Sequence, residues 1–149
     1  MLNPDFRDML SALNDAGAEY LIVGAYAMSA HGVPRSTGDI DVWVNATLEN
    51  APRVWQALIQ FGAPTSDWKV EDFKERDLVF QIGIAPFRID LLTSIDGIEF
   101  AAAEKNRITV KIDGITIPVI GLDDLILNKR ACGRPKDLVD VQLLLKRPN

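Results

Sequence analysis

The run Gly38-Asp39-Ile40-Asp41-Val42-Trp43-Val44-Asn45 alternates strictly, with Asp39, Asp41 and Trp43 on one side and Ile40, Val42 and Val44 on the other. A two-residue period belongs to an extended strand, so the chain must build a sheet with one apolar face and one face that bears carboxylates. Carboxylates two residues apart on a strand lie about 7 Å apart, and like charges so placed against an apolar sheet repel one another and resist desolvation. A divalent cation relieves this directly. Mg²⁺ suits such a pair because it takes one or two carboxylates together with substrate phosphates. The structural alternative is a solvated strand edge carrying two unpaired charges.

Around this strand the other elements follow from local signals. Asn3-Pro4-Asp5 starts a helix through a cap oxygen, a preset φ and an acidic first turn. Phe6, Met9, Leu10 and Leu13 continue it at helical spacing to about Asn14, and Gly17 stops it. Glu19 to Gly24 reads as a buried strand entering a tight turn, with a helix from about Ala25 to His31 behind it. Thr47 can cap a helix to about Gln60, and 62–67 is a turn-rich loop. Asp77 to Ile84 and Pro86 to Leu92 read as a hairpin, Ile98 to Lys105 as a helix, and Arg107 to Asp113 with Ile115 to Val119 as a second hairpin about Asp113-Gly114. Helices over Leu122 to Cys132 and Pro135 to Leu145 close the chain. Strands and helices interleave without a regular βαβ rhythm. An α+β fold follows, with a mixed, mostly antiparallel sheet flanked by helices and a short C-terminal helical pair.

At 149 residues the chain has room for one core, so a single domain over 1–149 is expected. No apolar run is long enough to span a bilayer and residues 1–7 lack the order of a signal peptide, which predicts a cytoplasmic protein with no membrane partner. One Cys and one His exclude a disulfide and a Cys/His zinc site, leaving oxygen ligands for any metal. The net charge of −5 argues against binding nucleic acid through the overall field, although Lys129, Arg130, Arg134 and Lys136 form a late basic cluster. A solvated helical face would account for that cluster equally well.

Asp90 is the third carboxylate of interest, set between Ile89 and Leu91 in a strand where Asp is disfavoured. If its strand lies beside Asp39 and Asp41, the three can hold two metals about 4 Å apart; otherwise Arg88 or another cation pairs with it structurally. Val23-Gly24-Ala25 ends a strand and opens a helix, where bare backbone N–H groups can meet phosphate. Arg35-Ser36-Thr37-Gly38 sets a cation and two hydroxyls just before the acidic strand, or forms a polar turn and no more. His31 reads as a packing or capping residue, and Trp43, Trp55 and Trp68 as packing aromatics.

The order Gly24-Ala25, Gly38-Asp39-Ile40-Asp41, then a separate strand with Asp90 resembles the DNA polymerase β-like nucleotidyltransferase superfamily. Its signature is a hydrophobic residue, Gly, and Gly or Ser, then Asp-hydrophobic-Asp after a short helix, and a later third carboxylate. The fuller run from Val23 to Val44, with Asn128-Lys129, Gly133 to Asp137 and Asp140, is similar to a small bacterial branch of abortive-infection (AbiEii-type) toxins and minimal nucleotidyltransferases. Ala25 departs from the signature and removes a Ser hydroxyl contact while keeping its N–H.

The resemblance implies Mg²⁺- or Mn²⁺-dependent transfer of a nucleoside monophosphate from an NTP to an acceptor hydroxyl, with release of pyrophosphate. Asp39, Asp41 and Asp90 would be catalytic and metal-binding; Gly24, Ala25, Arg35, Ser36 and Lys129 would meet the nucleotide; Arg134 and Lys136 would face the acceptor. That acceptor can be a tRNA end, a protein side chain or a small molecule. The alternative is a toxin–antitoxin component acting mainly by binding a cognate partner protein, with nucleotide transfer secondary or lost.

Overall fold

The computed structural model describes residues 2–147. Its elements run α1 (Pro4–Asp15), β1 (Tyr20–Val23), α2 (Gly24–Ala30), β2 (Asp39–Val44), α3 (Ala51–Phe61), a 3₁₀ turn (Val70–Lys74), β3 (Val79–Ile82), β4 (Arg88–Leu92), α4 (Phe100–Lys105), β5 (Ile108–Ile112), β6 (Ile115–Val119), α5 (Leu122–Cys132) and α6 (Pro135–Lys146). Six strands form one sheet in the order β3-β4-β2-β1-β6-β5. The β1/β2, β3/β4 and β5/β6 pairs are antiparallel, while β1/β6 and β2/β4 are parallel. The sheet is therefore mixed and mostly antiparallel, with flanking helices and a C-terminal helical pair, as the sequence signals predict.

The α1 N-terminus forms as its residues dictate: the Asn3 side chain accepts from the Asp5 and Phe6 amides, at 2.8 and 3.4 Å. The buried stripe Phe6, Met9, Leu10 and Leu13 then joins the apolar sheet face bearing Ile40, Val42 and Val44 in one core. The β5–β6 hairpin turns on Asp113 and Gly114, both at positive φ, as its turn type requires.

Two local expectations shift. The helix expected from Thr47 starts at Ala51, since the Thr47 hydroxyl accepts from the Asn50 amide in a preceding turn. Asn50 itself is fully buried and links that turn to β1, accepting from the Glu19 amide at 2.8 Å and donating to the Glu19 and Asn45 carbonyls at 2.9 Å each. The 3₁₀ turn has no apolar period to announce it. It forms because Phe73, fully buried, stacks on Phe80 with ring centres 4.2 Å apart, inside a cluster that Trp55 and Trp68 complete. Trp43 is likewise a packing residue, edge-on to Phe100. Among the described residues no helix is long and apolar enough to cross a membrane.

The core leaves the other face of β2 and β4 available to polar residues. The β3–β4 turn closes over the start of that face, where Gly38 meets Pro86 so closely that a Cβ would lie 1.5 Å from the Pro86 carbonyl oxygen. Replacing Gly38 by Ala must therefore move backbone. We expect Gly38→Ala to cost about 2–3 kcal/mol, the usual scale for overpacking, and to lower the thermal midpoint by several degrees in calorimetry. An unchanged midpoint would show that the turn yields freely.

Candidate active site

Parallel pairing of β2 with β4 sets Asp41 opposite Asp90 and Asp39 opposite Arg88. Residues opposite one another in register share a sheet face, so Asp39, Asp41, Arg88 and Asp90 stand together on the face away from the apolar core. The conditional expectation that Asp90 lies beside the acidic strand is met by this register. Asp90 is buried at 8% exposure, and Asp39 and Asp41 are partly buried.

Asp39 and Asp90 do not lack partners. Arg88 Nε donates to Asp90 Oδ1 at 2.8 Å, and its Nη2 donates to Asp90 Oδ2 at 3.1 Å and Asp39 Oδ2 at 3.3 Å. The structural ion pair considered for Asp90 is thus formed, because Arg88 and Asp90 lie two residues apart on one strand and share its face. Asp41 receives no such contact. Its carboxylate sits against Gly24 so tightly that a Cβ there would come within 2.2 Å of Asp41 Oδ2, and Gly24 has a φ of +69°. Only glycine satisfies both demands. The Gly of the strand–helix turn is thereby explained by the acidic strand across from it.

Burial, then repulsion from Asp90 and Asp39, push Asp41 up from the ordinary carboxylate value of 3.8 to about 6, against the attraction of Lys129 and Arg88. Oxygen donors of this kind suit a hard divalent cation. With Asp39 and Asp90 turned onto Arg88, no three acidic, His or Cys side chains among the described residues are gathered as a metal cage. A cation would bind here by drawing the carboxylates from Arg88, and would meet Asp41 as the acid with the most to gain.

Beside this face opens a cleft of about 500 Å³. Gly24, Ala25, Arg35, Asp41, Lys129, Arg134 and Lys136 all line it. Ser36 does not line it and is exposed, since the chain on either side is tied down: the Arg35 amide donates to Ser29 Oγ and the Asp39 amide to Thr37 Oγ1. The cations are themselves paired. Lys129 Nζ donates to Asp140 at 2.9 Å, Arg35 also donates to Asp140, and Arg134 Nε donates to Asp137 at 2.7 Å. Arg134 holds the Asp137 carboxyl below its usual range. Lys136 has no ion pair among the described residues, and Arg130 is exposed away from the cleft lining.

Sequence reasoning did not assign Asp96, Asn128 and Cys132, which line the cleft on the side of the β4–α4 connection. Asn128 Nδ2 donates to the Asp96 carbonyl at 2.8 Å, a long-range bond that no local pattern announces. Burial and Asp96 push the Cys132 thiol up. His31 caps α2 and its Nε2 lies 2.7 Å from the Ile120 carbonyl, a structural bond.

Because the folded-state value of Asp41 exceeds 3.8, the folded chain binds more protons than the unfolded one between about pH 4 and 6. Asp41 therefore adds stability below that window and loses it as pH rises through about 6, by about 2 kcal/mol after allowance for its partial exposure. In metal-free buffer we expect Asp41→Asn to raise the thermal midpoint at pH 7.5 and leave it nearly unchanged at pH 4. Equal effects at both pH values would show that the carboxylate is not strained.

Comparison with known proteins bears on the class of chemistry. Residues 3–145 match the family described as nucleotidyl transferase of unknown function (DUF2204). No curated protein matches the chain in sequence. Among solved structures, a candidate nucleotidyltransferase from Thermotoga maritima superposes with a TM-score of 0.62 at 15% identity, covering 97% of this chain and 95% of that one. The lincomycin-bound lincosamide antibiotic adenylyltransferase LnuA gives 0.59 at 14% identity, with 98% of each chain covered. ANT(2″)-Ia in complex with adenylyl-2″-tobramycin gives 0.58 at 18%, covering 93% of this chain and 84% of that one. At these identities the likeness is one of fold.

Proposed function

We infer that this chain, which belongs to the DUF2204 family and is thereby a nucleotidyltransferase, moves a nucleoside monophosphate from an NTP to an acceptor hydroxyl as one domain over residues 1–149. The observation that carries the assignment of the site is the register Asp41–Asp90 beside Asp39 on one sheet face, from which Asp41 lines the cleft and Asp39 and Asp90 do not. In the transfer, the acceptor oxygen forms a bond to the α-phosphorus while the bond from that phosphorus to the bridging oxygen breaks, and pyrophosphate leaves with the electron pair. Asp39, Asp41 and Asp90 would hold Mg²⁺ or Mn²⁺, which would supply charge neutralisation for the phosphates and the attacking oxygen.

The chain's own part is positioning and electrostatics. Gly24 admits phosphate to the turn, and the Ala25 N–H can donate to it without a side chain in the way. Lys129 of α5 and Arg35 of the α2–β2 loop offer cationic N–H groups from the cleft wall, and Ser36, next to Arg35 but outside the lining, would have to turn inward to add its hydroxyl. Asp90 would receive the proton of the acceptor hydroxyl, once its two oxygens are released from Arg88. Lys136, free of ion pairing among the described residues, and Arg134 line the same cleft where an acceptor enters. The fold neighbours that carry small-molecule antibiotics in their structures, together with a net charge of −5, favour a small hydroxyl compound over a nucleic acid as acceptor.

A second reading, partner binding as the principal role, is favoured by one observation: Leu138, Val139, Leu143 and Leu145 on α6 are 42–57% exposed. An apolar patch on the surface of a helix marks a protein contact when it is contiguous.

Thermal melting separates the two. Saturating Mg²⁺ with the correct NTP should raise the midpoint by a few degrees, corresponding to about 3 kcal/mol at a hundredfold excess over Kd. Asp41→Asn and Asp90→Asn should abolish both this rise and label transfer from the NTP, while the metal-free folds persist. If no nucleotide of any base stabilises the wild type, partner binding is the better account.

A further inference from the structure

Two carboxylates on α6 stand deeper than any surface role requires: Asp137 is fully buried and Asp140 is 8% exposed. Burying charge costs several kcal/mol per ion unless partners and hydrogen bonds answer it, so their contacts show what they are for. Asp140 uses its two oxygens on two cations from different parts of the chain. Oδ1 accepts from Arg35, in the loop between α2 and β2, and Oδ2 accepts from Lys129 of α5 at 2.9 Å. Asp137 accepts from Arg134 and lies 3.7 Å from Lys129 Nζ. The Lys129 side chain, 13% exposed, is thereby held between two acids, yet it still lines the cleft together with Arg35, Gly24 and Asp41.

An ammonium has three donors and a guanidinium five, so one carboxylate contact leaves each cation with N–H groups to spare. A long Lys or Arg side chain free in solvent would lose much rotamer entropy on gripping a phosphate, whereas one already fixed loses little. The two cations come from segments that share no backbone ladder, so something must set their spacing, and Asp140 touches both. We propose that Asp140 is a positioning residue that holds Arg35 and Lys129 side by side on the cleft wall, with their remaining donors turned to the triphosphate. The proposal rests on the nucleotidyl-transfer function above.

The opposite role is that Asp140 merely quenches the two cations, and the two roles predict opposite signs. Equilibrium binding of Mg²⁺-ATP and the other Mg²⁺-NTPs is measured on full-length protein for wild type, Asp140→Asn, Asp140→Glu and a control, Asp124→Asn. Asp124 is also buried on α5, bonded to Asn106, and does not line the cleft. Positioning predicts that Asp140→Asn weakens NTP binding about tenfold, as expected for misplaced charge-assisted bonds, while Asp140→Glu recovers most of it. It also predicts a rise in KM larger than the fall in kcat, and no change in NTP affinity for Asp124→Asn at a comparable loss of thermal stability. In a Lys129→Ala background the Asp140→Asn effect should shrink, since one of the two held cations is gone.

Tighter or unchanged NTP binding in Asp140→Asn overturns the proposal and leaves nucleotide transfer standing. Failure of the wild type to bind any NTP overturns the transfer function and the proposal with it. Should Asp140→Asn not fold, ¹⁵N relaxation of the Arg35 Nε–H in free wild type decides the matter. A guanidinium as rigid as the backbone supports positioning, and one mobile on the nanosecond scale refutes it.

Discussion

Repulsion among Asp39, Asp41 and Asp90 is the constraint on which the rest of the site depends. Three acids on adjoining strands of one face are unstable company, and each is accommodated differently. Asp39 and Asp90 share Arg88, which is within reach because it alternates onto the same face of β4. Among the described residues Asp41 has no cation in contact, and it is pressed against Gly24, where burial and its neighbours raise its pKa. The free protein therefore keeps its charge deficit at Asp41, beside the cleft. A cation placed there would gain the relief of that repulsion in addition to the Coulomb attraction.

The same logic explains why the strand–turn–helix unit and the acidic strand must fold as one piece. Gly24 sits at the end of β1, Asp41 on β2, and the two strands pair antiparallel with Val23 opposite Asp41. Any side chain at position 24 would strike the carboxylate it faces, so the turn that could take phosphate and the carboxylate that could take metal are fitted to one another. Ala25, which departs from the superfamily signature, lies one residue beyond that contact and can keep a methyl group, consistent with membership of the polymerase β-like nucleotidyltransferases.

Local physics made most of the fold legible. The Asn3 cap, the Asp113-Gly114 turn and the period-two run at Asp39–Val44 each depend on neighbours in sequence, and each forms where those neighbours demand. What local pattern could not supply is long-range satisfaction of polar groups. Asn50 looks like an ordinary turn residue until its bonds to Glu19, 31 positions away, are seen. Phe73 forms a 3₁₀ turn because of Phe80, not because of its own segment. In the site, strand period alone puts Asp39 and Asp41 on one face, the place of Asp90 beside them depends on the β2–β4 pairing, and the pairing of Arg35 with Asp140 spans 105 residues and has no local sign. A signal for Asp137 and Asp140 did exist: with Val141 and Leu144 they recur at helical spacing on the buried side of α6, where unpaired acids would not be tolerated.

An acidic chain that handles an anionic substrate must separate its charges in space. The net charge of −5 repels a triphosphate at long range, yet beyond about 8 Å that field is screened at physiological salt and the local arrangement governs. Here carboxylates stand on the β2–β4 face, and on the α5–α6 wall the cations line the cleft together with Asp137 and Asp140, the acids that pair with them. These acids do not cancel the cations, since an ammonium has three donors and a guanidinium five, more than the carboxylate contacts use. They limit where the cations can go. A phosphate entering between the two layers meets positive charge on one side and, on the other, acids that a divalent ion can bridge to it.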